Sequence, residues 1–370
     1  MKVIAYFYVL VVIVVLVLLF SQNLISIWDS PPSAMVNIVP DEMSGYFERE
    51  IVVDVSALSN LTVNITVPYK NEPYQNVTLN IIQGPEYVVN EGYNRTWISF
   101  HLHNSAEILL NYSFITRPVV YDVSQWNSLN VSAIPLSLKD EYDHPEYLNG
   151  REVIAPELFE NISAQIIKNA GATNVFEEEK ALYDYIVKNF EYNVTYNTLK
   201  KPQTAWETWQ LKKGDCAELS FLYVSMSRAI GIPAWVEFGW LFTSTTWAEH
   251  AWVGTVIPTT HGLVYGIIDL TKEVGGTDLG MGFFMRGTSR ITEWIDDGNS
   301  SHFTNYYTFV YGTSYGSVYV QDSIVSSIER MGNYTIVFDP SFAIEPLLFQ
   351  AILIGASALI VFAIIRRPKL

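Results

Sequence analysis

A long apolar run lies near each end of the chain. Residues 3–20 form an unbroken apolar stretch behind Lys2, and residues 347–365 precede the basic residues Arg366, Arg367 and Lys369. Each run is long enough for a membrane-spanning helix, and no clear cleavage site follows the first one. We therefore predict an N-terminal transmembrane anchor over residues 1–24, with a cleaved signal as the alternative, and a transmembrane helix over residues 346–366. Because basic flanks stay in the cytoplasm, both termini are expected inside the cell and the main domain outside.

The region after the first apolar run alternates in the manner of β-strands. Residues 51–55, 61–67, 77–82 and 96–102 switch between apolar and polar positions, and turn-type residues separate them. This pattern is typical of an antiparallel sandwich, so we predict a β-sandwich domain over residues 36–120 and a linker over residues 121–155. Strand-like segments return over residues 301–345. The pattern leaves open whether they complete a later sheet or return to this sandwich.

Helical periodicity begins after the linker and then changes back to strands. Residues 156–169 and 174–190 have helical spacing, and a nearly all-apolar helix begins after Asp215 and ends before Gly231. Strands are predicted over residues 234–240, 250–258 and 263–271. We therefore predict an α+β domain over residues 156–300, in which a buried helix packs on an antiparallel β-sheet.

The net charge and the cysteine content limit the classes of function that this protein can have. The net charge is −16 and no basic patch appears, which argues against a nucleic-acid partner. A single cysteine rules out an intramolecular disulfide. Ten Asn-X-Ser/Thr sequons predict a glycosylated exterior; they are at Asn60, Asn64, Asn76, Asn94, Asn111, Asn130, Asn161, Asn193, Asn299 and Asn333.

Cys216 is the first candidate for chemistry. Asp215 is a favourable N-cap, which places Cys216 in the first turn of the helix, where backbone N–H groups and the helix dipole favour a negative charge. We expect a lowered thiol pKa and hence a reactive nucleophile. The alternative is a small, inert core residue.

A histidine and an aspartate on neighbouring predicted strands are the next candidates. His250 begins one strand, and Asp269 ends the next. If an even-numbered loop makes the numbers of opposed residues add up to 521, His250 faces Thr271 and Asp269 lies diagonally on the same face. The alternative is a structural histidine and a carboxylate that caps a strand end. His101 and His103 share one strand face, but no further ligands accompany them, so we expect neither a metal nor a cofactor.

Four short blocks, in order, resemble the transglutaminase-like superfamily. They are residues 214–220 (GDCAELS), 228–233 (RAIGIP), 250–252 (HAW) and 269–271 (DLT). The resemblance implies a papain-like triad with Cys216 as nucleophile, His250 as acid/base and Asp269 as orienting carboxylate. Trp206, Trp209 and Trp252 are candidate substrate-binding residues, the first two also as oxyanion donors, and packing in the core is the alternative for all three. Ala217 and Trp235 depart from residues that are frequent in the family.

The combined expectation is a membrane-anchored prokaryotic enzyme, of a kind that suits an archaeal surface. It would be a cysteine acyl-transfer enzyme acting outside the cell on amide bonds of proteins or peptides, with peptidase or amidase activity ranked above cross-linking. The expected partners are a protein or peptide substrate and the membrane, and the oligomeric state is left open. The alternative is a non-catalytic cell-surface protein that uses the same fold for binding or scaffolding.

Overall fold

The computed structural model describes residues 36–56, 59–68, 71–193, 202–243, 246–271, 282–304, 307–314 and 316–338. Both predicted transmembrane segments lie outside these ranges. Among the described helices, none is long and apolar enough to cross a membrane. The helices are α1 Leu136–Tyr142, α2 Glu160–Ala170, α3 Val175–Asn189, α4 Ala205–Leu211 and α5 Cys216–Arg228, with short 3₁₀ helices at Val131–Ala133 and Pro156–Leu158.

The strands are numbered in chain order. They are β1 Val36–Pro40, β2 Met43–Val55, β3 Ser59–Val67, β4 Asn71–Glu72, β5 Gln75–Gln83, β6 Tyr87–Gly92, β7 Arg95–Leu102, β8 Ala106–Thr116, β9 Val119–Val120, β10 Glu146–Leu148, β11 Arg151–Ile154, β12 Glu191–Tyr192, β13 Lys213–Gly214, β14 Ala234–Phe242, β15 Trp247–Thr259, β16 Gly262–Ile268, β17 Met285–Arg286, β18 Arg290–Ile295, β19 Thr308–Ser314, β20 Val318–Met331 and β21 Tyr334–Phe338.

Two antiparallel sheets form the β-rich part of the chain. One has the strand order β20-β2-β8-β5-β4, and the other has the order β19-β3-β7-β6. Alternating residues of both sheets, such as Phe47, Val63 and Phe100, are fully buried in a shared hydrophobic core. The alternation read from the sequence therefore corresponds to inward-facing and outward-facing positions of real strands.

The C-terminal strands return to these two sheets. β19 pairs with β3, β20 pairs with β2, and β21 pairs with β1, all in antiparallel fashion. This resolves the alternative that the sequence left open. Residues 121–155 contain regular elements as well: α1, and the β10–β11 hairpin, in which Leu148, Val153 and Ile154 are buried.

A four-stranded antiparallel sheet with the order β16-β15-β14-β18 supports the buried helix α5. Every residue of α5 from Glu218 to Arg228 is buried, and the helix packs against β14 and β15. At its start, the Asp215 carboxylate accepts hydrogen bonds from the N–H groups of Ala217 and Glu218, and the Glu218 carboxylate accepts one from the Asp215 N–H. This capping box fixes the position of Cys216 in the first turn.

Candidate active site

The Cys216 thiol lies against β15. The backbone N–H groups of Ala251 and Ala217 interact with the sulfur and lower its pKa, as expected for a helix start. Cys216 is half-buried as a residue, but desolvation of its sulfur has the larger effect and raises the pKa above its ordinary value, and the neighbouring Asp215 carboxylate raises it further. The expectation of a lowered thiol pKa was therefore wrong, because desolvation of the thiolate outweighs the helix terminus.

His250 and Asp269 are brought together by the strand register. Along β15 and β16 the opposed residues are Val253 with Ile268 and Thr259 with Gly262, so that their numbers add up to 521 and the predicted register is confirmed. His250 Nε2 lies 3.0 Å from Asp269 Oδ2 and 3.1 Å from Thr271 Oγ1. His250 and Asp269 are both almost fully buried, which excludes bulk water from their contact.

The Asp269 carboxylate accepts hydrogen bonds on both oxygens. Oδ2 accepts from Arg290 Nη2 at 2.8 Å in addition to His250, while Oδ1 accepts from the Thr271 hydroxyl at 2.6 Å and from the Thr271 N–H at 3.0 Å. Burial alone would raise the pKa of Asp269, but the Arg290 guanidinium and the hydrogen bonds with His250 and Thr271 hold it well below its usual range. Asp269 is therefore a fixed anion.

Tyr307 holds the backbone of His250. Its buried hydroxyl lies 2.7 Å from the Gly239 carbonyl oxygen and 3.0 Å from that of His250, to either of which it can donate. The same oxygen accepts from the N–H groups of Gly239 and His250 at 3.1 and 3.3 Å. Gly239 and His250 are opposed residues of β14 and β15, so the tyrosine fixes the point where the two strands carry the histidine.

The three predicted substrate-binding tryptophans are found in different surroundings. Trp252 is fully buried, and its indole N–H donates to Glu237 Oε2 at 2.7 Å. Trp206 and Trp209 are half-buried on α4 and pack edge-on against Phe159. Trp206 is therefore partly open to solvent, whereas the ring of Trp209 is covered by Lys212 and by the stacked Tyr185 ring, and Trp252 offers no face.

The predicted glycosylation sites differ in exposure. The asparagines of seven sequons are exposed, whereas Asn64, Asn111 and Asn193 are half-buried.

Of the paired strand histidines, His101 lies on β7 with its Nδ1 3.3 Å from Thr62 Oγ1. Within the described ranges, no cluster of three or more His, Cys, Asp or Glu residues forms a metal site.

Two contributors to the site were missed from the sequence. Arg290 is the first residue of β18, and the first five residues of this strand are all buried. A charged side chain within such a strand was the available signal in the sequence. Tyr307 is 57 residues from His250 along the chain and precedes a strand of the β-rich part, so that no local signal links the two.

The chain is similar to known proteins in part of its sequence and in its fold. Residues 160–262 match the sequence model of the transglutaminase-like superfamily. No curated protein sequence gives a significant match. A solved structure from Cytophaga hutchinsonii, provisionally named a cysteine protease, aligns with a TM-score of 0.53 at 15% identity and covers 82% of this chain and 100% of its own. A Parabacteroides distasonis structure, provisionally named a protease, aligns at a TM-score of 0.23 and 12% identity over 56% of this chain and 62% of its own. The first likeness shows a shared fold, and residues 160–262 are similar to the transglutaminase-like superfamily.

Proposed function

We propose that this protein is a cysteine acyl-transfer enzyme that acts on amide bonds of proteins or peptides. The observation that carries the proposal is the buried His250–Asp269–Arg290 arrangement, whose histidine precedes Ala251 on β15, the residue whose backbone N–H interacts with the Cys216 sulfur. A buried histidine held by a fixed carboxylate next to a helix-terminal thiol matches the requirements of nucleophilic catalysis.

The hydrogen bonds assign the histidine tautomer. Because Asp269 is an anion, His250 Nε2 carries the proton that is donated to Oδ2. Nδ1 is then free to act as the base. Since burial disfavours the thiolate, we infer that Cys216 is a neutral thiol before substrate binds and transfers its proton to His250 as the sulfur attacks.

The reaction proceeds in two balanced steps. In the first, the Cys216 sulfur forms a bond with the amide carbonyl carbon, His250 takes the thiol proton, and the C–N bond breaks as His250 passes that proton to the leaving amine or ammonia. In the second, water or another amine attacks the thioester carbonyl carbon and loses a proton to His250, the C–S bond breaks, and His250 returns that proton to the sulfur, which re-forms the thiol. The Cys216 N–H is the proposed oxyanion donor, since the N–H groups of Ala217 and Glu218 already donate to Asp215.

The location and the acceptor belong to the same proposal. Water is the favoured acceptor, which makes the protein a peptidase or amidase rather than a cross-linking enzyme.

Two membrane spans, over residues 1–24 and 346–366, would keep the active domain outside the cell with both termini in the cytoplasm. The support for this location is the hydropathy of the two end segments and the ten sequons between them.

The test is a search for products that depend on the triad. The full-length protein in detergent is incubated with a diverse peptide pool, with and without a biotinylated primary amine, and the products are identified by mass spectrometry. We expect cleaved or deamidated peptides that vanish in Cys216→Ala and His250→Ala. Amine incorporation in preference to hydrolysis would indicate cross-linking, and an absence of any triad-dependent product would favour the non-catalytic alternative.

A further inference from the structure

A pocket of about 350 Å³ lies on the outward face of the β19-β3-β7-β6 sheet, separate from the triad. Its walls come from the β6–β7 turn, the central part of β3, β19, the β10–β11 turn and the segment of residues 301–304. This volume is within the range of small-molecule sites and is suited to a ligand of one or two rings.

Aromatic residues stand where this sheet is expected to be polar. Phe309 is opposed to Asn64 in the strand register and Trp97 to Thr66, so all four share the face opposite the buried Val63 and Ile65. Outward faces of antiparallel sheets ordinarily carry polar side chains. On the same face of β19, Tyr311 is 56% exposed. At Thr66 this face packs against Glu293 of β18, whereas at Phe309 and Tyr311 it is partly open, so aromatic rings line the open part of the face.

The Tyr93 side chain, on another wall of the pocket, is held in one position by its neighbours. Tyr93 has a positive φ of 54° in the β6–β7 turn, a conformation that few non-glycine residues adopt. Its ring stacks on His302 with centroids 3.6 Å apart and on Trp97 at 6.3 Å. His302 is held in turn by Asp297 through a 2.8 Å contact. The pocket is thus organised before any ligand arrives.

The polar lining is made of groups that suit hydroxyls and amides rather than ions. Asn64 Oδ1 is buried and accepts no hydrogen bond from any described residue, so it is available to a ligand donor. Arg95 also lines the pocket, donates to the His302 carbonyl oxygen and has Asp297 close by, which offsets its charge. A neutral ligand is therefore favoured over an anionic one.

We propose that this pocket binds a neutral saccharide of one or two pyranose units. A pyranose has apolar C–H faces, which pack on the negative faces of aromatic rings, and edge hydroxyls, which pair with amide and guanidinium groups. The exposed Tyr311 ring supplies an open face, Trp97 and Phe309 add apolar surface, and Asn64 and Arg95 supply the polar partners. An apolar peptide side chain would leave the polar lining without partners, and a lipid chain would do the same.

The binding is tested on the full-length protein made in a host that does not glycosylate asparagine. The probes are cellobiose, maltose and N,N′-diacetylchitobiose, titrated by calorimetry and by ligand-observed NMR. We expect saturable binding of at least one probe, a loss of about tenfold in affinity in Tyr311→Ala, and near-normal affinity in Tyr311→Phe, which keeps the ring face.

The matched control is Tyr319→Ala, which removes an equally exposed tyrosine (61% exposed) from β20, outside the pocket. It should bind like the wild type. Binding in Cys216→Ala should also be unchanged, so a failure of the proposed acyl transfer leaves this result unaffected. The proposal is overturned if no probe binds, if Tyr311→Ala binds normally, or if an aromatic tripeptide binds the pocket while the saccharides do not.

A saccharide in this pocket has two sources, an external one or a glycan on a sequon of the protein, either Asn94 beside Tyr93 or Asn64 in the lining. The same titration on protein from a glycosylating host separates them. Undiminished probe binding indicates an external saccharide. Binding that is lost with glycosylation and restored by Asn94→Gln indicates that the Asn94 glycan occupies the pocket, and both results support the saccharide assignment. Binding that is lost with glycosylation and restored only by Thr66→Ala, which removes the Asn64 sequon but keeps the asparagine, indicates that a glycan attached to the lining blocks the pocket and overturns the assignment.

Discussion

Arg290 Nη2 lies 2.8 Å from Asp269 Oδ2, the same oxygen that receives the His250 Nε2 proton. The guanidinium thus keeps the carboxylate ionised in a buried site, where desolvation would otherwise raise its pKa. This ion pair connects β18 with the residues that follow β16. The charge of Asp269 therefore depends on Arg290.

Removal of this cation should shift the pH dependence of activity. In Arg290→Gln, the pKa of Asp269 rises toward its ordinary range, so the acid limb of the rate profile moves to higher pH and the rate at neutral pH falls. Arg290→Lys should recover part of the loss because it keeps the charge. The measurement is the pH–rate profile for a peptide found in the product search, alongside circular dichroism. An unmoved acid limb in a folded Arg290→Gln would contradict the role given to Arg290.

Asp269→Asn should reduce activity by roughly 10²-fold or more, because the amide no longer holds the His250 tautomer in which Nδ1 is the base. The chain offers a matched control in a second His–Asp pair, His302 Nδ1 and Asp297 Oδ2, which are 2.8 Å apart and outside the triad. Asp297→Asn should retain acyl transfer. Similar rates for the two variants would show that Asp269 has no special role.

Tyr307→Phe should reduce both stability and activity, because it removes a buried hydroxyl from between the Gly239 and His250 backbones. We expect a loss of about 1–3 kcal/mol in the free energy of unfolding, the cost of buried polar groups left without partners. Tyr112→Phe is the control, since the buried Tyr112 hydroxyl makes no hydrogen bond with the described residues. Urea unfolding of both variants is the measurement, and equal stabilities would contradict this account.

The pH dependence of Cys216 alkylation reports on one thiol, because the chain has a single cysteine. We expect an apparent pKa above about 8.5, the value of an unperturbed cysteine. Asp215→Asn should lower it, since a negative charge beside the thiol is removed while asparagine still caps the helix. An apparent pKa well below 8.5 in the wild type, or one that does not respond to Asp215→Asn, would contradict the raised pKa assigned to this thiol.

Buried Glu179 should make the fold less stable as pH rises. Burial raises its pKa to about 7, although hydrogen bonds from the hydroxyls of Tyr223, Ser227 and Thr255 act in the other direction. Because the folded-state pKa is raised, the contribution of this group to stability is complete below its ordinary pKa of 4.5 and is lost as pH rises through about 7.

In Glu179→Gln, the free energy of unfolding should therefore decline less between pH 5 and pH 8, by up to roughly 3 kcal/mol. Urea denaturation at several pH values measures this. The control is Glu177→Gln on the same helix, whose carboxylate contacts Thr173 at the surface. If all three proteins lose stability equally with pH, Glu179 is not the titrating group.

The strands, the central helix and the His250–Asp269 contact were predictable because each follows from local periodicity. Alternation fixed which residues of β2 and β3 point inward, Asp215 marked the start of α5, and the parity of one hairpin placed His250 and Asp269 on one face. These features depend on neighbours in sequence or across a single turn.

The remaining features depend on contacts between distant segments. Arg290 begins β18 and Tyr307 directly precedes β19. Both reach the site because these strands pair with segments that are far away along the chain. The thiol pKa of Cys216 was mispredicted because the capping motif shows the helix dipole but not the burial of the sulfur. The aromatic pocket likewise forms only where five chain segments meet.

The central claim is that Cys216 forms a covalent acyl intermediate with His250 as its base. The most direct measurement is intact-protein mass spectrometry of samples quenched in acid during turnover of the peptide pool, followed by mapping of the modified residue. The account predicts an acyl adduct on Cys216 in the wild type and in Asp297→Asn, and no adduct in His250→Ala. Turnover without an adduct on Cys216, or turnover that persists in Cys216→Ala, would contradict it.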